Sequence, residues 1–332
     1  MKDFTGKIAV ITGGGTGMGR ELARQLVAEG CSVAMCDLSE ANMAETARLA
    51  RAEAAQGAKV TTHMADVSIE EQILAFRDEV AAQQETDKVH LLFNNAGIGG
   101  GGSFVNSTRA EWEKTFNVCW GGVYYGCRAF LPMLMKADEA HIINTSSVNG
   151  FWASLGPQTA HTAYSAAKFA VKGFTEALIN DLKLNAPHIK CSVVMPGHIG
   201  TDIAINSRKV LSGEDEISAD ALVGARRQMA RMGVPVDQLS DAQIKALIDE
   251  QGRQFRDNAP TTAAQAARIM LDGVKAGDWR ILVGADAHRM DEMVRADPEH
   301  AYEPGFFERM AGDTGVAAWG RGAGVGRRAT HS

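Results

Sequence analysis

Two residues in the middle of this 332-residue chain are of the types that move protons. The segment TAYSAAKFAV places Tyr164 and Lys168 four positions apart, so in a helix they share one face. An ammonium beside a phenol lowers the phenol pKa from about 10 toward neutrality. Tyr164 would then serve as proton donor and acceptor for an alcohol and ketone pair. A little upstream, IINTSSVNG sets Ser146 and Ser147 at the end of an apolar run. A neutral hydroxyl there can hydrogen-bond a substrate oxygen as charge develops on it. A Tyr and Lys at this spacing also occur as an ordinary surface pair, so the reading needs a partner site elsewhere.

That partner lies near the N-terminus, in Thr12-Gly13-Gly14-Gly15-Thr16-Gly17-Met18-Gly19. The apolar run Ile8 to Ile11 precedes it and a helical pattern, Thr16 to Gly30, follows. Glycines between a strand and a helix let backbone N–H groups approach a pyrophosphate at the helix N-terminus, where the dipole favours anions. No Gly-Lys-Ser/Thr triplet follows, so this is not a P-loop. A second apolar run, Ser32 to Cys36, ends on Asp37. A carboxylate there accepts from ribose hydroxyls and repels a 2′-phosphate. Thr16, Leu38 and Ser39 add no positive charge, so NAD is favoured over NADP.

The elements that must carry these residues alternate along the chain. Strands are expected at Lys59–Met64, Val89–Asn94, His141–Ser147, Ile189–Met195 and Trp279–Val283. Helices are expected at Ser39–Gln56, from Ser68 to Gln84 with Ser68 and Glu71 as a capping box, and over Thr108–Lys136 with a weakness near Gly121 and Gly122. Two more cover Ala163–Leu184 and Thr262–Lys275. This order predicts an α/β fold, a doubly wound, mostly parallel sheet flanked by helices of the Rossmann type. Gly13, Asp37, Asp66, Asn94, Ser147 and Pro196 each follow an apolar run, so right-handed crossovers gather them on one sheet edge. One domain is expected over residues 1–284. Within it, 203–258 is read as a helical lid insertion with helices near Ala219–Met232 and Ser240–Arg256, an external oligomer helix pair being the other reading. Residues 285–332 form a C-terminal extension with a short helix, Ala287–Arg295, and a Gly/Arg tail expected to be mobile.

Bulk properties exclude several classes. The net charge of −6 with 22% charged residues offers no basic footprint for nucleic acid. No run of about 18 apolar residues exists to span a membrane. MKDFTGK leads directly into a strand without an apolar signal core, and the scattered cysteines are read as buried thiols in a reducing cytoplasm. The five cysteines, Cys31, Cys36, Cys119, Cys127 and Cys191, show neither metal nor disulfide spacing, and no metal site is expected.

Taken together, these motifs resemble the short-chain dehydrogenase/reductase family. TGGGTGMG, NNAG at Asn94–Gly97, Asn117 in the long helical tract, IINTSS with YSAAK, and Pro196-Gly197 followed by Thr201 stand in family order. The resemblance covers about Lys7 to Asp202 and is weaker over Thr262–Gly284. It implies Tyr164 as acid/base and Lys168 as its partner and ribose contact. Ser147 would polarise the substrate oxygen, with Ser146 in reserve, and Asn117 would hold a relay water. For the cofactor, NAD, it implies Thr12, Gly13, Gly15, Thr16, Gly17, Met18, Gly19 and Asp37 around the turn. Asp66 and Val67 would meet the adenine, Asn94 would support the central strands beside the cofactor, and Ala96 and Gly97 would lie next to it. Pro196, Gly197, Ile199 and Thr201 would face the nicotinamide. The expected substrate is a small secondary alcohol or ketone, apolar or aromatic if Phe151, Trp152 and Leu155 wall the pocket, ordinary core packing being the equal alternative for them. His161 and His198 could touch it, though a plain polar role fits both better. The Ser147–Tyr164 gap and the lid are longer than in compact members. Family members commonly form dimers or tetramers through the helices matching Thr108–Lys136 and Ala163–Leu184. A catalytically silent NAD(H) sensor is the alternative function, and a nucleotide-sugar epimerase or dehydratase a third, disfavoured by the glycine spacing.

Overall fold

Short apolar runs become strands here because both of their faces are covered, as parallel sheets require. In the computed structural model, which describes residues 1–314 apart from 101, 157–158, 214–216, 218 and 232, strand and helix alternate from the start. β1 (Ile8–Thr12), α1 (Gly17–Ala28), β2 (Ser32–Asp37), α2 (Glu40–Glu53), β3 (Val60–Met64), α3 (Glu70–Gln83) and β4 (Leu91–Asn94) form the first half. α4 (Arg109–Phe116), α5 (Gly122–Leu134), β5 (Ala140–Thr145), α6 (Thr162–Asn185) and β6 (Ile189–Pro196) build the second. After β7 (Ile199–Gly200) come α7 (Ile203–Ser212), α8 (Ala219–Arg231) and α9 (Asp241–Asp257). β8 (Thr261–Thr262), α10 (Ala263–Ala276), β9 (Arg280–Val283), α11 (Ala285–Ala296) and α12 (Pro304–Thr314) complete the described chain. The Gly/Arg tail lies outside the described residues.

The main sheet runs β3-β2-β1-β4-β5-β6-β9 and every pairing is parallel. It is the doubly wound architecture expected. Successive strand residues point to opposite faces. Val10, Leu92 and Ile142 meet α3, α5 and α6 on one side. Ala9, Ile11, Leu91, Phe93 and Ile143 meet α1, α2 and α10 on the other. The strand order reverses between β1 and β4, which opens the crevice at their C-terminal ends where ligands bind in such sheets. Among the described residues no helix is long and apolar enough to cross a membrane.

Several local expectations change. The break in the 108–136 tract starts at Asn117, not at the glycines. Residues Asn117–Gly121 form a π-helical turn in which the Gly122 N–H donates to the Asn117 carbonyl, and such turns concentrate at functional sites. Ser68 does not cap α3, whose N-cap is Ile69; its N–H and hydroxyl both donate to Asp66 Oδ1, at 2.9 and 2.6 Å. Helices α7 and α12 were not anticipated. Segment 203–258 follows β7 and leads into β8, and these two strands pair with each other as a separate two-stranded sheet. It carries its own apolar core of Ile217, Leu222, Met229, Val236 and Ile244. Trp152 is not a pocket wall. It is 1% exposed and buried in a third core with Val148, Met290, Phe306 and Met310 from the C-terminal helices.

Helix α5 lies against β4 with no atom to spare. A methyl group at Gly126 would overlap the Asn94 carboxamide, which is itself buried and donates to Asn144 Oδ1 at 2.8 Å. Gly126→Ala should therefore lower the unfolding free energy by about 1–3 kcal/mol. Chemical denaturation checks this, and an unchanged midpoint would show that α5 can retreat from the strand.

Candidate active site

The glycine turn is shaped by what it must approach. Gly13 has φ +69°, in the left-handed region open to glycine, and a Cβ there would stand 2.8 Å from the Ala96 backbone. A Cβ at Gly19 would overlap the Gly13 carbonyl, so α1 packs directly onto the turn. Thr12 Oγ1 accepts from the N–H groups of Asn95 (3.0 Å) and Ala96 (3.1 Å). Asn95 Nδ2 donates back to the Thr12 and Gly13 carbonyls at 3.1 and 3.3 Å. Asn95 thus stitches the two loops at the crevice together, and it was absent from the sequence reading. Its signal was available, since NNAG holds a second amide side chain at the end of a strand.

Helix α1 begins without a side-chain cap at Thr16 and without an acid in its first turn. Its leading N–H groups therefore have no side-chain partner, the condition for accepting an anionic group. At the end of β2 the Asp37 carboxylate receives the Gly15 N–H at 2.9 Å and the Ser39 N–H at 3.1 Å. Arg20, also unforeseen, donates to the Gly15 carbonyl at 2.7 Å and to Thr46 Oγ1 at 2.9 Å. Close-approach glycines and a helix start without a side-chain cap are the features that fit the diphosphate of a dinucleotide.

Around the crevice, Asp66 pairs with Lys114 at 3.1 Å. Burial would raise its carboxyl pKa, but the Ser68 and Lys114 hydrogen bonds outweigh that and hold it below the ordinary range. Val67 is buried against Gly122. Asn94 is 1% exposed, and its carboxamide faces Asn144 and Cys127. It braces β4 against β5 rather than presenting a group to the crevice.

The proton-transfer pair sits on the first turns of α6. The Ser147 hydroxyl lies beside the Tyr164 phenol and accepts the Asn149 N–H at 3.1 Å. Ser146 instead donates to the Lys168 carbonyl at 2.7 Å, so the geometry separates the two serines. The Lys168 ammonium is buried, donates to the Thr145 carbonyl at 2.9 Å, and lies 5.3 Å from the Tyr164 ring centre. Gly97 leaves it room, a Cβ there being 3.4 Å from Nζ. The expected lowering of the phenol pKa is not what the protein alone produces. Burial pushes Tyr164 well above its ordinary value, with Cys119 adding to this and Ser147 opposing it. Burial likewise pushes Lys168 down, with Cys119 opposing it. Asn117 opens the π turn with an exposed side chain. The His161 ring lies tilted against Tyr164, 4.7 Å between ring centres, and burial lowers its pKa to about 4, so the ring is neutral at working pH.

The fourth side of the crevice is the turn after β6. The Gly197 N–H donates to the Val283 carbonyl at 3.0 Å. The His198 N–H donates to Asp286 at 2.6 Å, and its ring bonds the Phe255 carbonyl at 2.7 Å. Ile199 is 5% exposed in the sheet core, so its backbone is what it can offer. Thr201 lies beside Gly17. From there α7 reaches across: Asn206 donates to Thr16 Oγ1 at 3.2 Å and Ser207 Oγ accepts the Gly99 N–H at 2.7 Å. The fold therefore gathers the glycine turn, Asp37, Gly97, Ser147, Tyr164, Lys168 and the 196–201 turn along one edge.

Known proteins share this arrangement. The short chain dehydrogenase family model matches residues 7–211. SadH of Mycobacterium tuberculosis, named as an oxidoreductase, is 34% identical over 295 residues, 89% of this chain and 92% of its own. A short-chain dehydrogenase/reductase from Burkholderia phymatum, solved in complex with NAD, superposes with a TM-score of 0.72 at 31% identity. That match covers 92% of this chain and 98% of the other. A metagenomic short-chain oxidoreductase solved with NADP has a TM-score of 0.51 at 29% identity over 63% of this chain and 89% of its own. With the parallel sheet, the glycine turn and the Ser147–Tyr164–Lys168 cluster in place, this chain belongs to the short-chain dehydrogenase family.

Proposed function

We propose that this oxidoreductase interconverts a secondary alcohol and a ketone with NAD(H), Tyr164 moving the proton. The observation that carries the reading is the Ser147–Tyr164–Lys168 cluster placed beside Gly97 at the crevice edge. NAD, when bound, supplies the nicotinamide that takes or gives the hydride. The chain's own part starts with the backbone N–H groups at the start of α1, which receive the diphosphate, while Asp37 accepts from the adenosine ribose. Ser147 donates a hydrogen bond to the substrate oxygen and holds it beside the phenol. Tyr164 Oη gives its proton to that oxygen in reduction and takes it back in oxidation. Lys168, fixed by Thr145, presents its remaining N–H donors toward the ribose and the phenol, and Asn117 carries the relay water.

Three expectations follow from these roles. Tyr164→Phe should cut turnover roughly 10²- to 10⁴-fold while NADH binding by fluorescence stays at the wild-type value; retained turnover would sink the acid/base assignment. The raised phenol pKa keeps Tyr164 protonated at neutral pH, so alcohol oxidation, which needs the phenolate, should speed up from about pH 7 toward about pH 9. Ketone reduction, which uses the phenol, should stay flat over that range, and a pH-independent oxidation rate would contradict the mechanism. On the cofactor side, Asp37 repels a 2′-phosphate, so NADH should bind about tenfold or more tighter than NADPH. Asp37→Ala should narrow that ratio, and equal affinities in the wild type would overturn the preference.

A further inference from the structure

Helices α11 and α12 lie beyond the residues that match the family, yet they touch two sides of the crevice. We propose that they act as one positioning unit, Asp286 setting the turn at Gly197–His198 and the α12 region setting Ser147 through Trp152. This rests on the oxidoreductase reading above for its catalytic consequences.

The first attachment is a buried carboxylate. Asp286 is 5% exposed and accepts the His198 N–H at 2.6 Å, while its other side-chain oxygen has no hydrogen-bond partner among the described residues. A Cβ at either Gly197 or Gly284 would overlap this carboxylate, so two glycines clear the space for it. Burying a carboxylate with one oxygen unpaired is costly, and an apolar residue would serve packing better. What the carboxylate does is hold the His198 peptide from behind while the His198 ring is tied to the Phe255 carbonyl. The turn that follows β6 is thereby fixed from both sides.

The second attachment is aromatic. Trp152 Nε1 donates to the Ala301 carbonyl at 2.8 Å, and its ring stacks on Phe307 with centres 6.3 Å apart. The Ala153 N–H donates to Tyr302 Oη at 3.1 Å, and Phe307 lies directly on Gly156. A short hydrogen-bonded path then runs back to the reaction centre. Asn149 Nδ2 donates to the Trp152 carbonyl at 3.0 Å, and the Asn149 N–H donates to Ser147 Oγ at 3.1 Å. Ser147 in turn lies beside the Tyr164 phenol. Asp286 and Trp152 are positioning residues, since they act through His198 and Ser147.

The two attachments predict separable defects in the full-length protein. Asp286→Ala should weaken NADH binding about tenfold, the size of one lost charge-assisted hydrogen bond. Asp286→Asn, which keeps an acceptor for the His198 N–H, should recover most of that loss. Trp152→Phe should leave NADH affinity at the wild-type value while lowering kcat and raising KM for the ketone, about fivefold in kcat/KM. Circular dichroism confirms folding first, and Trp152→Phe, a conservative change, decides the matter should Asp286→Ala not fold. The proposal falls if the variants alter only thermal stability, or if both attachments shift NADH affinity alike. Retained turnover in Tyr164→Phe would instead overturn the proton-transfer reading, leaving the NADH-affinity arm to be judged separately.

Discussion

A buried ammonium has to be held, or it costs several kcal/mol. Lys168 is held at both ends of the residue. Its side chain gives a hydrogen bond to the Thr145 carbonyl, where β5 stops, and its own carbonyl takes one from Ser146, one position later. Those two bonds dock α6 on the end of β5 in a single register. Tyr164, one helical turn earlier, and Ser147, the next residue on the strand side, inherit their relative placement from that docking. The distance that matters most for proton transfer is thus set by a residue that does not itself transfer the proton.

How the phenol is tuned follows from the same burial. Water exclusion raises Tyr164 and lowers Lys168 together, so neither charged form is favoured by the protein alone. The chain supplies the alignment and a dry site. A strong field at the phenol then requires the ammonium to keep its proton, and the carbonyl partner at Thr145 favours that state.

The strands, the glycine turn, Asp37 and the Tyr164–Lys168 pair were legible because each is a local pattern. Apolar runs buried on both faces have few alternatives, and a helix places positions 164 and 168 together whatever surrounds it. What was not legible depended on contacts far apart in sequence. Trp152 looked like a pocket wall because nothing near it shows Ala301 and Phe307 arriving from 149 and 155 residues away. Ser68 carried a sound capping pattern but found Asp66 closer. The π turn opens at Asn117 while glycine content pointed to Gly121. Asn95 was overshadowed by Asn94, although Asn94 serves the core and Asn95 serves the crevice.

The pairing of β7 with β8 brings the two ends of segment 203–258 side by side, Ile199 opposite Thr261 and Gly200 opposite Thr262. A loop whose ends are already joined is cheap to lengthen, each doubling costing only about 0.6 kcal/mol in closure entropy. With its own small core, the segment behaves as a cassette plugged into a fixed socket. Length can therefore change inside the segment while its two ends stay joined at β7 and β8.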